Sequence, residues 1–216
     1  MFDRIVIPGE MYDDECVSTA QRAVKVSPII FQPTEQMLSR EDACRLLRLD
    51  SARPVVYVQL GSGNINDIRI LTQRVVDTLN GHFPNVQVVV GESMITRTRF
   101  DISGTYIRLR DFPNSIYFNA FDAAVLAAGY NSVYEAVFYR LWTVFFPNSE
   151  TKTDDQVKRA LFAEKNGSAE IMRAFDEDSF TNIMANYLAL ESSARPDPPF
   201  SNGAAQAAEL IHRSIC

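Results

Sequence analysis

Three cysteines and two histidines are all that this 216-residue chain offers for thiol or imidazole chemistry. Cys16, Cys44 and Cys216 form no CxxC pair and have no histidine close by, which argues against a zinc motif and against a disulfide framework. An odd number of widely spaced cysteines suits a reducing compartment. His82 follows Asn80-Gly81 and reads as a surface residue, and His212 falls on the last helix, so neither marks a catalytic site. Basic residues are also short: 21 Lys and Arg against 27 Asp and Glu leave a net charge of -6. A general nucleic-acid binder needs a basic footprint, so that class is set aside, though an anion site built from backbone N–H groups stays open. No apolar run approaches the roughly 18 residues of a membrane span. The first residues, MFDRIVIPGEMYDDE, lack the basic start and long apolar core of a signal peptide, and the expectation is a cytoplasmic protein. No internal repeat or low-complexity tract occurs. What is present is the mixture of an ordinary globular domain, 46% hydrophobic and 22% charged. A chain of this length buries about 70% of its unfolded surface and needs no covalent staples.

Residues 1–53 read as a lead-in or linker, and residues 54–216 as one domain. In the first part Phe2 to Ile7 reads as a short strand stopped by Pro8-Gly9. Residues 10–26, with the acidic cluster Asp13-Asp14-Glu15, read as loop or short helix, and Ser27 to Phe31 as a brief extended piece. Ser39 opens a helix with Asp42 three residues on, and Leu46 and Leu47 supply its apolar face. Pro54 to Leu60 is the first strong strand, β-branched and nearly continuous, as a strand covered on both faces must be. It runs into Gly61-Ser62-Gly63-Asn64. A helix over 67–79 follows, with Ile68, Leu71, Val75 and Leu79 at helical spacing, and Asn80-Gly81 closes it. Val86 to Val90 is a second strand, and Tyr106 to Leu109 and Ser115 to Phe118 are short ones. Strands at 123–128 and 142–146 flank a helix; further helices fall at 154–165, 177–190 and 203–214, with a short strand at 168–172. Buried strands alternating with helices predict an α/β fold, a Rossmann-like domain with a parallel sheet covered by helices on both faces.

The stretch from Phe121 to Gln156 is strand, glycine turn, helix, strand, loop and helix, and such a unit gathers the polar residues at its strand ends into one crevice. Ser132-Val-Tyr-Glu135 and Thr153-Asp-Asp-Gln156 both fit the capping-box pattern, with Glu135 expected in the first turn of its helix. Each alone is more often a cap than a ligand site. Together they stand at two strand-to-helix junctions on one edge of the sheet. Gly129 allows close approach there, and a helix dipole after Ser132 favours an anion. A carboxylate such as Glu135 can accept both protons of a vicinal diol, and Asp155 and Gln156 suit sugar hydroxyls. That combination fits a nucleotide-sugar. Gly61-Ser62-Gly63 lets backbone approach a phosphate or sugar, or is simply a tight turn that needs glycine. It is not the dinucleotide fingerprint, because the third glycine is absent and Asp77 lies inside a helix. Nor is it a P-loop. The basic group Arg97, Arg99, Arg108 and Arg110 reads as a solvated strand face, and the carboxylates from Glu150 to Asp155 lack metal-ligand spacing. Ser132 belongs to no triad.

The run AGYNSVYEAVFYRLWTVFFPNSETKTDDQVKRA resembles the donor-binding region of GT-B glycosyltransferases, which use nucleotide-sugars without a metal. Plant and macrolide glycosyltransferases and the peptidoglycan N-acetylglucosaminyltransferase carry similar runs. VVYVQLGSGN is similar to the opening strand and loop of the C-terminal domain of that family. The likeness spans residues 54–190. It implies one half of a GT-B fold and a UDP-linked or related donor, with no cofactor and no metal. It places Gly129, Tyr130, Asn131 and Ser132 at the diphosphate, Glu135 at the ribose hydroxyls, Asp155 and Gln156 at the transferred sugar, and Gly61 and Ser62 on the opposite wall. Many plant members carry His where this chain has Ala127, and an aromatic and Gln that seat the base, for which Tyr117 to Phe121 is a loose substitute. A whole GT-B enzyme also has an N-terminal domain holding the acceptor and the base. The expected partners are therefore a nucleotide-sugar donor and an N-terminal acceptor-binding domain or subunit. Two other readings remain at this point, an interaction or regulatory module that kept the fold, and a sugar-nucleotide epimerase domain.

Overall fold

The computed structural model describes residues 5–11, 23–61, 68–94, 101–149, 154–190, 194 and 196–215. Ser62, Gly63, Asn64 and Thr153, the acidic cluster Asp13 to Glu15, Arg97 and Arg99, and Cys16 and Cys216 lie outside those residues.

Six strands form one parallel sheet: β3 (Val55–Gln59), β4 (Gln87–Gly91), β5 (Ile107–Leu109), β6 (Ala123–Ala127), β7 (Trp142–Phe146) and β8 (Ala169–Ile171). Their order is β5-β4-β3-β6-β7-β8. Renumbered from the first strand of the sheet this is 3-2-1-4-5-6, the Rossmann order. Strand alternation sorts the side chains into two cores. Val55 and Tyr57 of β3, Ala124 and Leu126 of β6 and Phe145 of β7 face one side. They meet α1 (Arg40–Leu47), α3 (Tyr130–Phe138) and α4 (Gln156–Lys165). Val56, Val58, Ala123, Val125 and Val144 face the other, against α2 (Arg69–His82) and α5 (Glu177–Ala189). Both faces are thus covered, as the unbroken apolar strands require, and each fully buried Val or Leu contributes about 1.5–3 kcal/mol. The closing helix α6 spans Ala204–Ile215.

Two strands ahead of the sheet, β1 (Ile5–Pro8) and β2 (Ala23–Val26), pair with each other in parallel. The strand falls at 23–26, where loop or helix was expected, and Ser27 to Phe31, expected as an extended piece, follows it as irregular chain without strand pairing. Ile30, Ala43, Cys44 and Leu47 are buried in the first core.

Several local expectations are corrected. Ser115 to Phe118 is not a strand but lies in a 3-10 helix, Asn114–Ala120. Ser115, Tyr117, Phe118 and Ala120 turn inward there, and Tyr57 stacks on Phe121 with ring centroids 4.7 Å apart, so packing overrides the β-like composition. Helix α2 runs through Asn80-Gly81 to His82. The Asn80 amide donates to the Val76 carbonyl at 2.7 Å and its carbonyl accepts from Thr105 N–H at 3.2 Å, which keeps it within the helix. Leu46 is exposed while Leu47 is buried, so only one of the pair faces the core. The Ser39 cap forms as expected, its hydroxyl accepting from Asp42 N–H at 3.1 Å.

Candidate functional site

The strand order reverses between β3 and β6, and crevices of open α/β sheets form at such a point, outside the carboxyl ends of the strands. A cavity of about 660 Å³ occupies it. Its floor is the end of β3 and β6 at Gln59 and Leu126. One wall is the start of α3, with Tyr130, Asn131, Ser132 and Glu135. The facing wall is the turn after β5, from Asp111 to Asn114, with Glu92 to Met94 beyond β4. Pro8, Ile29 and Phe31 close it from the N-terminal segment.

Helix α3 begins directly after Gly129, whose backbone is extended, and no side chain caps it. The capping box expected at Ser132 and Glu135 does not form. The end of β6 sets where the helix starts, so Ser132 is the third helical residue and Glu135 lies in the second turn, not the first. The first N–H groups of a helix lack intrahelical partners. Here they emerge uncapped at the cavity rim, with the positive end of the dipole behind them. Gly129 has φ -66, and an added Cβ would come no nearer than 3.9 Å to Ser132 Oγ. The fold itself therefore does not require glycine there. Gly61, at the end of β3, does, with φ +102.

Glu135 points into this space beneath the helix start. Ser115 Oγ donates to its Oε1 at 3.3 Å. Burial disfavours the charged form and pushes its pKa from 4.5 to about 7, against the smaller opposing effect of the Ser115 hydrogen bond. The two other carboxylates of the lining are already engaged. Glu92 pairs with Arg108 at 3.0 Å. Asp111 accepts from Tyr117 Oη at 2.7 Å and from Phe112 N–H at 2.7 Å.

Asp155 and Gln156 do not line the cavity. Asp155, rather than Thr153, is the N-cap of α4, its carboxylate accepting from Lys158 N–H at 3.1 Å. That backbone bond, aided by the Lys158 ammonium, holds its pKa below the usual range. Gln156 is the first helical residue; its carbonyl accepts from Asn148 N–H at 3.0 Å and its amide donates to Asp154 at 3.1 Å. Of the loose aromatic substitute at Tyr117 to Phe121, Tyr117 and Phe121 are core residues, and Phe118, mostly buried, borders the cavity. The exposed rings at the cavity are Phe31 and Phe112, 63% and 67% exposed with centroids 5.3 Å apart. Sequence reading missed both, along with Ser115; only Pro113-Asn114, a turn signal, hinted at that wall.

The architecture has clear counterparts among solved structures. The glycotransferase of kitacinnamycin superposes on 99% of this chain with a TM-score of 0.69 at 17% identity, using 55% of its own length. The fold is that of one half of a GT-B glycosyltransferase. The spinosyn rhamnosyltransferase SpnG, solved with thymidine diphosphate, matches over 90% of this chain and 53% of its own (TM-score 0.60, 16% identity). MurG of Acinetobacter baumannii matches over 88% and 60% (TM-score 0.55, 15% identity). The chain thus spans little more than half the length of the structures it matches. No family model matches it, and no curated protein matches it in sequence. Among the described residues, no helix is long and apolar enough to cross a membrane, and no cluster of His, Cys, Asp and Glu could hold a metal ion.

Proposed function

We propose that the chain is the donor-binding, C-terminal half of a metal-independent glycosyltransferase and takes a nucleoside-diphosphate sugar, UDP- or dTDP-linked. The observation that carries this reading is the uncapped start of α3 at the switch-point cavity, with the half-buried Glu135 in the second turn below it. Among the described residues, three carboxylates and no Lys or Arg line the cavity, which favours the rim over the interior for phosphate. The diphosphate therefore belongs at the rim, on the N–H groups of Tyr130, Asn131 and Ser132 beside Gly129. Glu135, the lining carboxylate with acceptor capacity to spare, takes the ribose hydroxyls. The exposed rings of Phe31 and Phe112 offer the base an apolar surface to stack on. Gly61, just past β3, offers a second place for close backbone approach, and Asp155 and Gln156 meet the transferred sugar beyond the rim.

In such a transfer the acceptor oxygen attacks the anomeric carbon and the nucleoside diphosphate departs. The start of α3 would stabilise the charge on the leaving diphosphate. The base and the acceptor site belong to an N-terminal domain or partner subunit. That the solved structure of SpnG holds thymidine diphosphate makes pyrimidine nucleotides the first probes.

The test is calorimetric titration with UDP, GDP and dTDP at pH 8, where Glu135 is ionised. Binding of a pyrimidine diphosphate, weakened at pH 6 and weakened at least about tenfold by Glu135→Ala, supports the reading. No binding of any of the three up to millimolar concentration sinks it. A destabilised Glu135→Ala that still binds as tightly as the wild type would show that Glu135 only packs.

A further inference from the structure

Arg159 is a cation on the first turns of α4, yet its side chain is only 7% exposed. A buried guanidinium is costly unless its donors are met. Here it faces groups from three separate parts of the chain, with hydrogen bonds at Nε and only an ion pair, without an aligned hydrogen bond, at Nη1. Its Nε and one terminal nitrogen grip Glu10, each 2.8 Å from Oε1, and Nε also lies 3.1 Å from Oε2. Its other terminal nitrogen pairs with Asp154. Its Cζ lies 5.7 Å from the centroid of the Tyr130 ring, a cation–π distance. Each partner is itself held. Tyr134 Oη donates to Glu10 Oε2 at 2.7 Å and accepts from Met11 N–H at 2.8 Å. Tyr130 Oη donates to the Gly9 carbonyl at 3.2 Å. Asp154 accepts from the Gln156 amide at 3.1 Å, and that same glutamine is fixed from the other side by Asn148 N–H.

The arrangement joins two places that the cavity alone leaves apart. Tyr130 stands in the cavity wall at the start of α3, and Asp154 to Gln156 form the start of α4. A guanidinium suits this task because its planar fork can grip one carboxylate bidentately and still reach a second. We infer that Arg159 is a positioning residue, locked by Glu10, that holds the Asp154–Gln156 junction in register with the α3 rim so that one donor can span both. It does not touch the donor. The inference rests on the donor-site reading above, and it makes one distinctive demand. Disturbing Arg159 should cost the sugar part of the ligand, which meets the α4 junction, more than the nucleotide part, which meets α3 and Glu135.

The experiment compares bare nucleotides with their sugar conjugates: UDP against UDP-glucose and dTDP against dTDP-glucose. The full chain is titrated as wild type, Arg159→Gln, Arg159→Lys and Glu10→Gln, with circular dichroism melts to confirm folding. The expected result is that the affinity advantage of the conjugate over the bare nucleotide falls about tenfold in Arg159→Gln, the worth of a hydrogen bond or two to sugar hydroxyls. Bare nucleotide affinity should change far less. Arg159→Lys, which keeps the charge and loses the fork, should fall between, and Glu10→Gln should move the same way by less. An unchanged advantage in folded Arg159→Gln overturns the inference while leaving the donor site standing. If Arg159→Gln does not fold, an unchanged advantage in both milder variants overturns it equally, as does failure of all three to fold, which would make the cluster a folding element. A wild type that binds nucleotide with no advantage from the sugar removes the sugar contact and the inference with it. A wild type that binds none of the four removes the donor reading itself.

Discussion

Replacing Glu135 by glutamine separates what this residue does for the fold from what it does for a ligand. Burial holds the carboxyl at about 7 in the folded chain against 4.5 for a free one. The folded state therefore keeps a proton that the unfolded state has already released across the window between those values. The stability that protonated Glu135 contributes is complete below about pH 4.5 and is lost as pH rises through 7. At 1.36 kcal/mol for each decade of acidity, the ionised residue costs the fold about 3 kcal/mol by pH 8. Glutamine has nearly the same shape, keeps an oxygen for the Ser115 hydroxyl and never ionises. Glu135→Gln should therefore match the wild type near pH 4.5 and exceed it at pH 8. For a chain of this length the gain in melting temperature is roughly 6–12 °C. The measurement is the difference in melting temperature between the two proteins across that range, in which every other titrating group cancels. Nucleotide affinity should move the opposite way, because glutamine has one accepting oxygen, already shared with Ser115, in place of a charged pair of them. A melting difference that stays constant with pH would refute the burial argument. A stabilised variant with undiminished affinity would refute the ribose contact.

Gly129→Ala should leave stability within about 0.5 kcal/mol, since its Cβ has 3.9 Å of clearance in the fold, yet weaken nucleoside diphosphate binding measurably by calorimetry. Wild-type affinity in that variant would remove the close approach at the rim. Gly91→Ala should be costly for a different reason: its Cβ would fall 2.3 Å from the fully buried Tyr57 hydroxyl. Overpacking of this kind costs about 1–3 kcal/mol, readable as a lower urea midpoint, and Tyr57→Phe in the same chain should recover part of it. Phe112→Ser should change the urea midpoint little, because the ring is exposed, while reducing nucleotide affinity by an amount in keeping with a stacked base, about 1–3 kcal/mol. Equal affinity for the variant would show that the base lies elsewhere.

How far the sequence carried this picture depended on the range of the forces involved. The strands at 55–59, 87–91, 123–127 and 142–146 are legible because each is a continuous apolar run stopped by Gly or Pro, and a parallel sheet covered on both faces demands such runs. The short α1 cap at Ser39 is legible too, being a contact over three residues. The two supposed capping boxes were not, because Ser-x-x-Glu fixes a spacing but not a helix start. The exit of β6 at Gly129 fixes the start of α3, and Asp155 displaces Thr153 as the cap of α4. Residues 114–120 have strand-like composition, yet they coil inward because Tyr57, Phe118 and Phe121 pack together across 64 residues of sequence. Phe31 and Phe112 meet only after folding, so no local pattern marks them as one wall. The Glu10–Arg159 contact spans 149 positions and is equally invisible to periodicity.

The small parallel pair β1–β2 has a consequence for handling the molecule. Parallel strands normally lie within larger sheets whose faces are covered. This pair has no third strand among the described residues, and it leaves Ile5 45% and Ile7 40% exposed. An uncovered strand edge beside aliphatic side chains is a template on which a second chain can pair. Repulsion from a net charge of -6 acts over about 8 Å at physiological ionic strength and weakens further as salt is added. High-salt buffer is therefore expected to promote pairing of chains at this four-residue corner, readable as a rise in light scattering.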